Sequence, residues 1–226
     1  MLIDCHLHTR PSSSCSLIAP ETACEKALAR GLDALVFTEH HLRAGTGDLD
    51  RLRRMYPALA LYAGMEVSLR EGFDLVLISS ELERRIPPFL PFNALAQKIA
   101  PYRNRTFVFL AHAFRYTERR DAALEAILSY VDALEVNSIN ILRGGHIVRQ
   151  SRFLPRTLAL YEKAQKDHGL IALSNSDGHN PDWIGSICNE VDAPAPPESE
   201  DGLAELLKRS ELTPRQDPAL LARILE

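Results

Sequence analysis

Met1-Leu2-Ile3-Asp4-Cys5-His6-Leu7-His8 is the stretch that decides the fold. It begins as a short apolar run and sets Asp4, His6 and His8 where that run ends. The same arrangement returns along the chain. Strands are predicted at Met1–Cys5, Asp33–Thr38, Leu59–Val67, Phe73–Ser79, Thr106–Ala111, Ala133–Asn137 and Leu170–Ser174. Several are rich in Val, Ile and Phe, as strands covered on both faces are. Helices are predicted between most of them, at Pro20–Arg30, Asp48–Tyr56, Pro91–Ala100, Arg119–Tyr130 and Pro155–Asp167, with a sixth at Glu200–Arg209. Gly31 follows the first helix, and Pro57 and Pro101 stop the next two, as residues that end helices do. Strand and helix alternate, which predicts an α/β fold on a parallel sheet.

The polar residues fall at strand ends. Thr38-Glu39-His40-His41 leaves the second strand, Gly64-Met65-Glu66 the third and Ala111-His112 the fifth. Glu135-Val136-Asn137 ends the sixth, and Ser174-Asn175-Ser176-Asp177-Gly178-His179 follows the seventh. In parallel β/α folds the C-terminal strand ends gather on one face, and that face carries the active site. Positions two apart along an extended chain point the same way. His6 and His8 can therefore grip one ion, and so can Asp177 and His179 if their segment is extended. Imidazole with carboxylate suits zinc, iron or manganese. Glu66 is the natural carboxylate to bridge two ions. One histidine at a strand end is commonly structural. Five histidines and two acids together would be costly to bury without a cation.

Composition narrows the function. The chain has 226 residues, with 26 Lys and Arg, 30 Asp and Glu and a formal net charge of −4. This excludes disorder as a main description and disfavours a broadly basic nucleic-acid binder, though not a local positive site. No apolar run is long enough to predict a membrane span. The start lacks a basic n-region, so no secretory signal is expected. The four cysteines form no Cys-x-x-Cys pair and read as reduced thiols. A cytoplasmic location and no membrane partner are the expectation. The chain is expected to be a single domain over residues 1–226. A Pro-rich, acidic loop is expected at 193–200 and a helical tail at 201–226.

At these residues the sequence resembles the polymerase-and-histidinol-phosphatase (PHP) family. The pattern is carried by Asp4-Cys5-His6-Leu7-His8-Thr9, Thr38-Glu39-His40, Gly64-Met65-Glu66, Ala111-His112 and Ser176-Asp177-Gly178-His179. The resemblance implies a distorted (β/α)7 barrel with two or three divalent metals in its mouth, and in many members phosphate-ester hydrolysis. It implies that His6, His8, Glu66 and Asp177 hold a first metal. Glu66 would bridge to a second that also takes His112, and His40 and His179 would hold a third. Three positions depart from the pattern. Where a further ligand of the third metal often stands, the chain reads Pro11-Ser12-Ser13-Ser14-Cys15-Ser16. There Cys15 is the plausible substitute, with a hydroxyl or water as the alternative. Glu81 stands near the position of a second-metal histidine, and can also be read as a helix N-terminal acid. Glu39 replaces the commoner Asp and is expected to orient ligands from behind them.

The expected activity is therefore hydrolysis of a phosphate ester by metal-activated water. The substrate classes left open are a small phosphomonoester, a nucleotide and an oligonucleotide end. His40 or His179, where not fully engaged by metal, would protonate the leaving oxygen. Arg143 is a candidate phosphate contact, against the plainer reading of an exposed loop charge. Glu135 and Asn137 face together and are read either as support behind the ligands or as substrate contacts. Two alternatives stand beside this one: a C–N hydrolase of amidohydrolase type, and a metal-binding module without catalysis. His41 is read as a rim or structural histidine, and His146 and His168 as structural. Trp183 reads either as a pocket wall or as packing under a loop.

Overall fold

In the computed structural model, which describes residues 1–148 and 151–226, the apolar runs form one nine-stranded sheet. The strands are β1 (Leu2–Leu7), β2 (Ala34–Phe37), β3 (Ala60–Ser68), β4 (Asp74–Ile78), β5 (Phe107–Ala111) and β6 (Ala133–Asn137). A short hairpin of β7 (Ile147–Val148) and β8 (Ser151–Arg152) stands apart from the sheet. β9 (Ile171–Ser174), β10 (Ile187–Val191) and β11 (Leu212–Gln216) complete it. The helices are α1 (Pro20–Ala29), α2 (Thr46–Met55), α3 (Phe92–Ile99), α4 (Ala122–Leu128), α5 (Ile139–Leu142), α6 (Leu158–His168), α7 (Glu200–Arg209) and α8 (Pro218–Leu225).

The spatial order is β11-β10-β1-β2-β3-β4-β5-β6-β9. The sheet curls until β9 lies beside β10 and β11, which gives a nearly closed α/β barrel. Side chains complete the closure. Asn189 on β10 accepts from the Ser174 backbone N–H at 2.9 Å and donates to the Ser174 carbonyl at 2.8 Å. Val36, Tyr62, Val76, Phe107 and Phe109 belong to one buried cluster that α7 caps with Leu203, Ala204 and Leu207. Separate clusters lie between the strands and helices, one on Leu110, Leu124, Leu134 and Tyr161, another on Ala23, Leu35, Leu52 and Leu61.

The sheet is not all parallel. β1–β2, β2–β3, β5–β6 and β6–β9 pair parallel, but β4 runs antiparallel to both β3 and β5. Only five residues separate β3 from β4, and a parallel crossover needs about a dozen or more. The expected seven strands also gain β10 and β11, each antiparallel to its neighbour. The C-terminal tail is therefore not purely helical. β11 is an edge strand with four of its five residues exposed, so no apolar run marks it, and an edge tolerates its Pro214. Among the described residues no helix is long and apolar enough to cross a membrane.

Gly64 shows how tightly β3 is held. A Cβ there would sit 2.9 Å from the Leu77 carbonyl oxygen and 3.1 Å from side-chain carbons of Thr38 and Val36. Two of those neighbours lie on adjoining strands and cannot both yield. Gly64→Ala should therefore destabilise the protein by about 1–3 kcal/mol, as overpacking does. The urea midpoint is the measurement, and an unchanged midpoint would contradict the packing described.

Candidate metal centre

Six parallel-running strand ends meet at one mouth, and five of the expected seven ligand side chains lie there fully enclosed. His6, His8, Glu66, His112 and Asp177 are 0–5% exposed. Their donor atoms form three groups: His6, His8 and Asp177; His6, Glu66 and His112; and His8, His40 and His179. The first group is nearly regular. The two Nε2 atoms of His6 and His8 are 3.2 Å apart, and Asp177 Oδ1 is 3.5 Å from one and 3.6 Å from the other. Ligands about 2.1 Å from a tetrahedral ion stand about 3.4 Å from one another. The three side chains are thus spaced as the corners around such an ion.

Glu66 sits at the centre. Its Oε1 is 3.2 Å from His112 Nε2 and 3.5 Å from His6 Nε2. Its Oε2 is 2.8 Å from His40 Nδ1 and 3.4 Å from His8 Nε2. The two oxygens face different imidazole pairs, which is the disposition a bridging carboxylate requires. Imidazole and carboxylate donors with no Lys or Arg among them suit a borderline divalent cation. The residues therefore fit the metals that the sequence implies.

Electrostatics divide the histidines. Burial disfavours a charge on His6, yet the carboxylates of Asp177, Glu135 and Glu66 hold its pKa well above the ordinary value. Burial, together with His40 and His179, pushes His8 down to about 3. Burial would also lower His40, but Glu66 and Cys15 raise it to about 11. Burial is the largest influence on the Asp4 carboxyl too, and lifts it to about 6. Asp4 still accepts from the backbone N–H groups of His6 and Ser176, while its Oδ2 has no hydrogen-bond partner among the described residues.

The residues behind the ligands are well bonded. His6 Nδ1 lies 3.0 Å from Glu135 Oε1, which also accepts from Asn175 Nδ2 at 2.9 Å. Glu135 Oε2 accepts from the His112 backbone N–H at 3.2 Å. A carboxylate on the far nitrogen of a ligating histidine fixes its tautomer and orientation, and Glu135 stands in that position behind His6. Glu39 accepts from the Thr9 backbone N–H and from the Thr9 and Ser13 hydroxyls, and among the described residues it makes no hydrogen bond to a candidate ligand ring. The backbone also bends for the site. His112 and Asp177 have φ of 30° and 50°, a region that costs a side-chain-bearing residue about 1–3 kcal/mol. Asp177 consequently breaks the extended run to His179. Its carboxylate joins His6 and His8, while His179 joins His8 and His40.

A cavity of about 810 Å³ opens above the cluster. His40, His179, Glu66, His112 and Asp177 form its floor, and Arg143, Arg115 and Trp183 stand on its walls. Arg143 lies over the Trp183 ring, 5.2 Å from its centroid. Cys15 reaches the same cavity, where the neighbouring His179 and His40 lower its thiol to about 6 against the effect of burial.

Two expected residues are elsewhere. Glu81 pairs with Arg105 at 3.1 Å at the opposite end of the barrel. β4 is antiparallel, so its C-terminal end points away from the mouth, and no helix starts at Glu81. Asn137 is buried and does not line the cavity. Asn140, on α5, does so instead and donates to Asp177 Oδ2 at 2.5 Å. Sequence reasoning missed Asn140, although its place just past a strand end was a signal. It also missed Asp74, which the reversed β4 brings to the mouth, 3.8 Å from His112 Nδ1 and 3.4 Å from Arg115. His41 stands on the rim, and His168 is a structural partner of Glu125.

The PHP domain model matches residues 4–209. No curated protein matches the chain significantly. Among solved structures, PsfC from Pseudomonas syringae is 18% identical with a TM-score of 0.68, over 99% of this chain and 95% of that one. A two-domain protein from Bacteroides vulgatus, containing a predicted PHP-like metal-dependent phosphoesterase, is also 18% identical with a TM-score of 0.68. That match covers 100% of this chain and 68% of the other. Endonuclease Q, bound to a 27-mer duplex with an abasic lesion at the active site, is 16% identical with a TM-score of 0.56. Here 92% of this chain corresponds to 57% of the nuclease. At these identities the likeness is one of fold.

Proposed function

Because the chain belongs to the PHP domain family, we propose that it is a metal-dependent phosphoesterase, folded as a single domain over residues 1–226. The observation that carries this reading is the near-regular triad of His6, His8 and Asp177 beside the two-sided Glu66 carboxylate. In the proposed assignment His6, His8, Glu66 and Asp177 hold one ion, and Glu66 with His112 a second. His40 and His179, with Cys15 beside them, hold a third. Zinc, manganese or iron at these positions would neutralise phosphate oxygens and lower the pKa of attacking water.

The remaining steps belong to side chains of this protein. Glu135 and Asn140 keep His6 and Asp177 aimed inward through their hydrogen bonds. Arg143 offers a planar fork to a phosphate oxygen. His40 and His179, the more exposed of the cluster, stand where a leaving oxygen could be protonated. The cavity is far larger than a phosphate group, so it has room for the organic part of the ester. A phosphomonoester, a nucleotide and an oligonucleotide end are the substrates proposed.

The test strips the purified protein with a chelator and restores manganese or zinc. Hydrolysis of p-nitrophenyl phosphate should vanish and return with the metal. An anilide substrate run in parallel should stay uncleaved. Cleavage of the anilide alone would favour a C–N hydrolase, and bound metal with neither activity would favour a binding module.

A further inference from the structure

β11 and α8 follow residue 209, where the family match ends. β11 pairs with β10 from Ile187↔Gln216 to Val191↔Leu212. Asp217 then caps α8 by accepting from the Leu220 N–H at 3.0 Å, while its own N–H donates to the Ser186 carbonyl at 2.9 Å. The start of α8 is thereby tied to the loop that runs from His179 to β10. Leu221 of α8 forms a small core with Ile139 and Ile187, and Leu142, Trp183 and Ile224 pack against it.

Three members of that core outside the tail, Ile139, Leu142 and Trp183, adjoin or form the cavity wall. Ile139 and Leu142 lie on α5, which carries Asn140 and leads into Arg143. Trp183 lies under the Arg143 guanidinium. Among the described residues no carboxylate pairs with Arg143, and its polar contact is His146 Nδ1 at 3.2 Å. With no acid to aim it, the guanidinium takes its direction from the ring beneath it. The residue before it is tied to α1 and its C-cap, where Lys26 meets the Asp182 carboxylate at 3.0 Å and Arg30 donates to the Asp182 carbonyl at 2.9 Å.

We propose that β11 and α8 act as a positioning element of the substrate pocket. Leu221 and Ile224 fix Trp183, and Trp183 aims Arg143 across the mouth at an oxyanion such as phosphate. The choice of anion rests on the phosphoesterase reading; the role of the tail in placing Trp183 does not.

Trp183 is the sole tryptophan, so emission excited selectively at tryptophan reports this wall alone. The experiment compares full-length Leu221→Ala and Ile224→Ala with Leu128→Ala, a fully buried control in another cluster. The two tail variants should move Trp183 emission to longer wavelength and increase its quenching by acrylamide, and the control should leave both unchanged. In manganese-loaded protein, Leu221→Ala should raise the dissociation constant for inorganic phosphate about three- to fivefold, as loss of an aromatic support for a cation does. Ile224 is only partly buried, so its variant stands in if Leu221→Ala fails to fold. Unchanged emission and quenching in the folded tail variants overturn the proposal. Shifted emission with wild-type phosphate affinity, or a wild type that binds no phosphate, overturns the role given to Arg143. Phosphate binding without ester hydrolysis counts against the phosphoesterase reading alone.

Discussion

Alanine at both His6 and His8 should remove bound metal and ester hydrolysis together. The double change deletes two of three donors in one group and one donor in each of the other two. Changes behind metal ligands already cost about 10–100-fold in affinity or activity, so losing direct donors should cost more than about 100-fold. The single variants should differ in stability. His6 is held protonated in the metal-free protein by Asp177, Glu135 and Glu66, against the pull of burial. His8 is held neutral, with burial as the main cause. His6→Ala therefore leaves buried carboxylates without their cation, a loss of about 3–5 kcal/mol for a broken buried pair. His8→Ala removes no charge and should cost less. Elemental analysis gives the metal count, and urea midpoints of chelator-treated protein give the stabilities. A double variant with wild-type metal content and rate would sink the ligand assignment.

The sequence made the mouth of the barrel legible because strand ends there carry ionisable residues at short, repeated spacings. His6 and His8 needed only the two-residue period, and they meet even though the β1–β2 register shifts between Asp4 and Leu7. The errors came from direction. The resemblance sets Glu81 near a second-metal position, beside the reading as a helix N-terminal acid, but the antiparallel β4 carries Glu81 away from the mouth and brings Asp74 to it. The five-residue gap before β4 was the available signal of that reversal. Asp177 and His179 share an ion only if their segment is extended, and the positive φ at Asp177 that breaks it is not visible in side-chain periodicity. β11 was missed because an exposed edge strand has no apolar pattern to show. Trp183 was read as either wall or packing. It lines the cavity beneath Arg143 and also packs against the small core that Leu221 joins.

Glu66→Gln separates charge from shape at the centre of the cluster. The amide keeps the size of the side chain but loses the negative charge, and its nitrogen is a poor metal donor. Four imidazole nitrogens lie 2.8–3.5 Å from the native carboxylate, so activity should fall by more than about 100-fold, beyond the usual effect of residues behind a ligand. The metal-free protein offers an independent readout. Burial alone would lower the His40 pKa below 6.5, and Glu66, aided by Cys15, raises it to about 11. A group raised above its unfolded value stabilises the fold below that unfolded value, and this stability is lost as pH rises through the folded pKa. Wild-type protein without metal should therefore lose this contribution from near neutral pH upward. In Glu66→Gln the main raising influence is gone, so the His40 pKa should fall. The part of the alkaline stability loss due to His40 should then shrink. Histidine titration by NMR and urea midpoints across that range are the measurements. A His40 pKa that does not fall in the folded variant would mean that Glu66 is not the charge that governs this mouth.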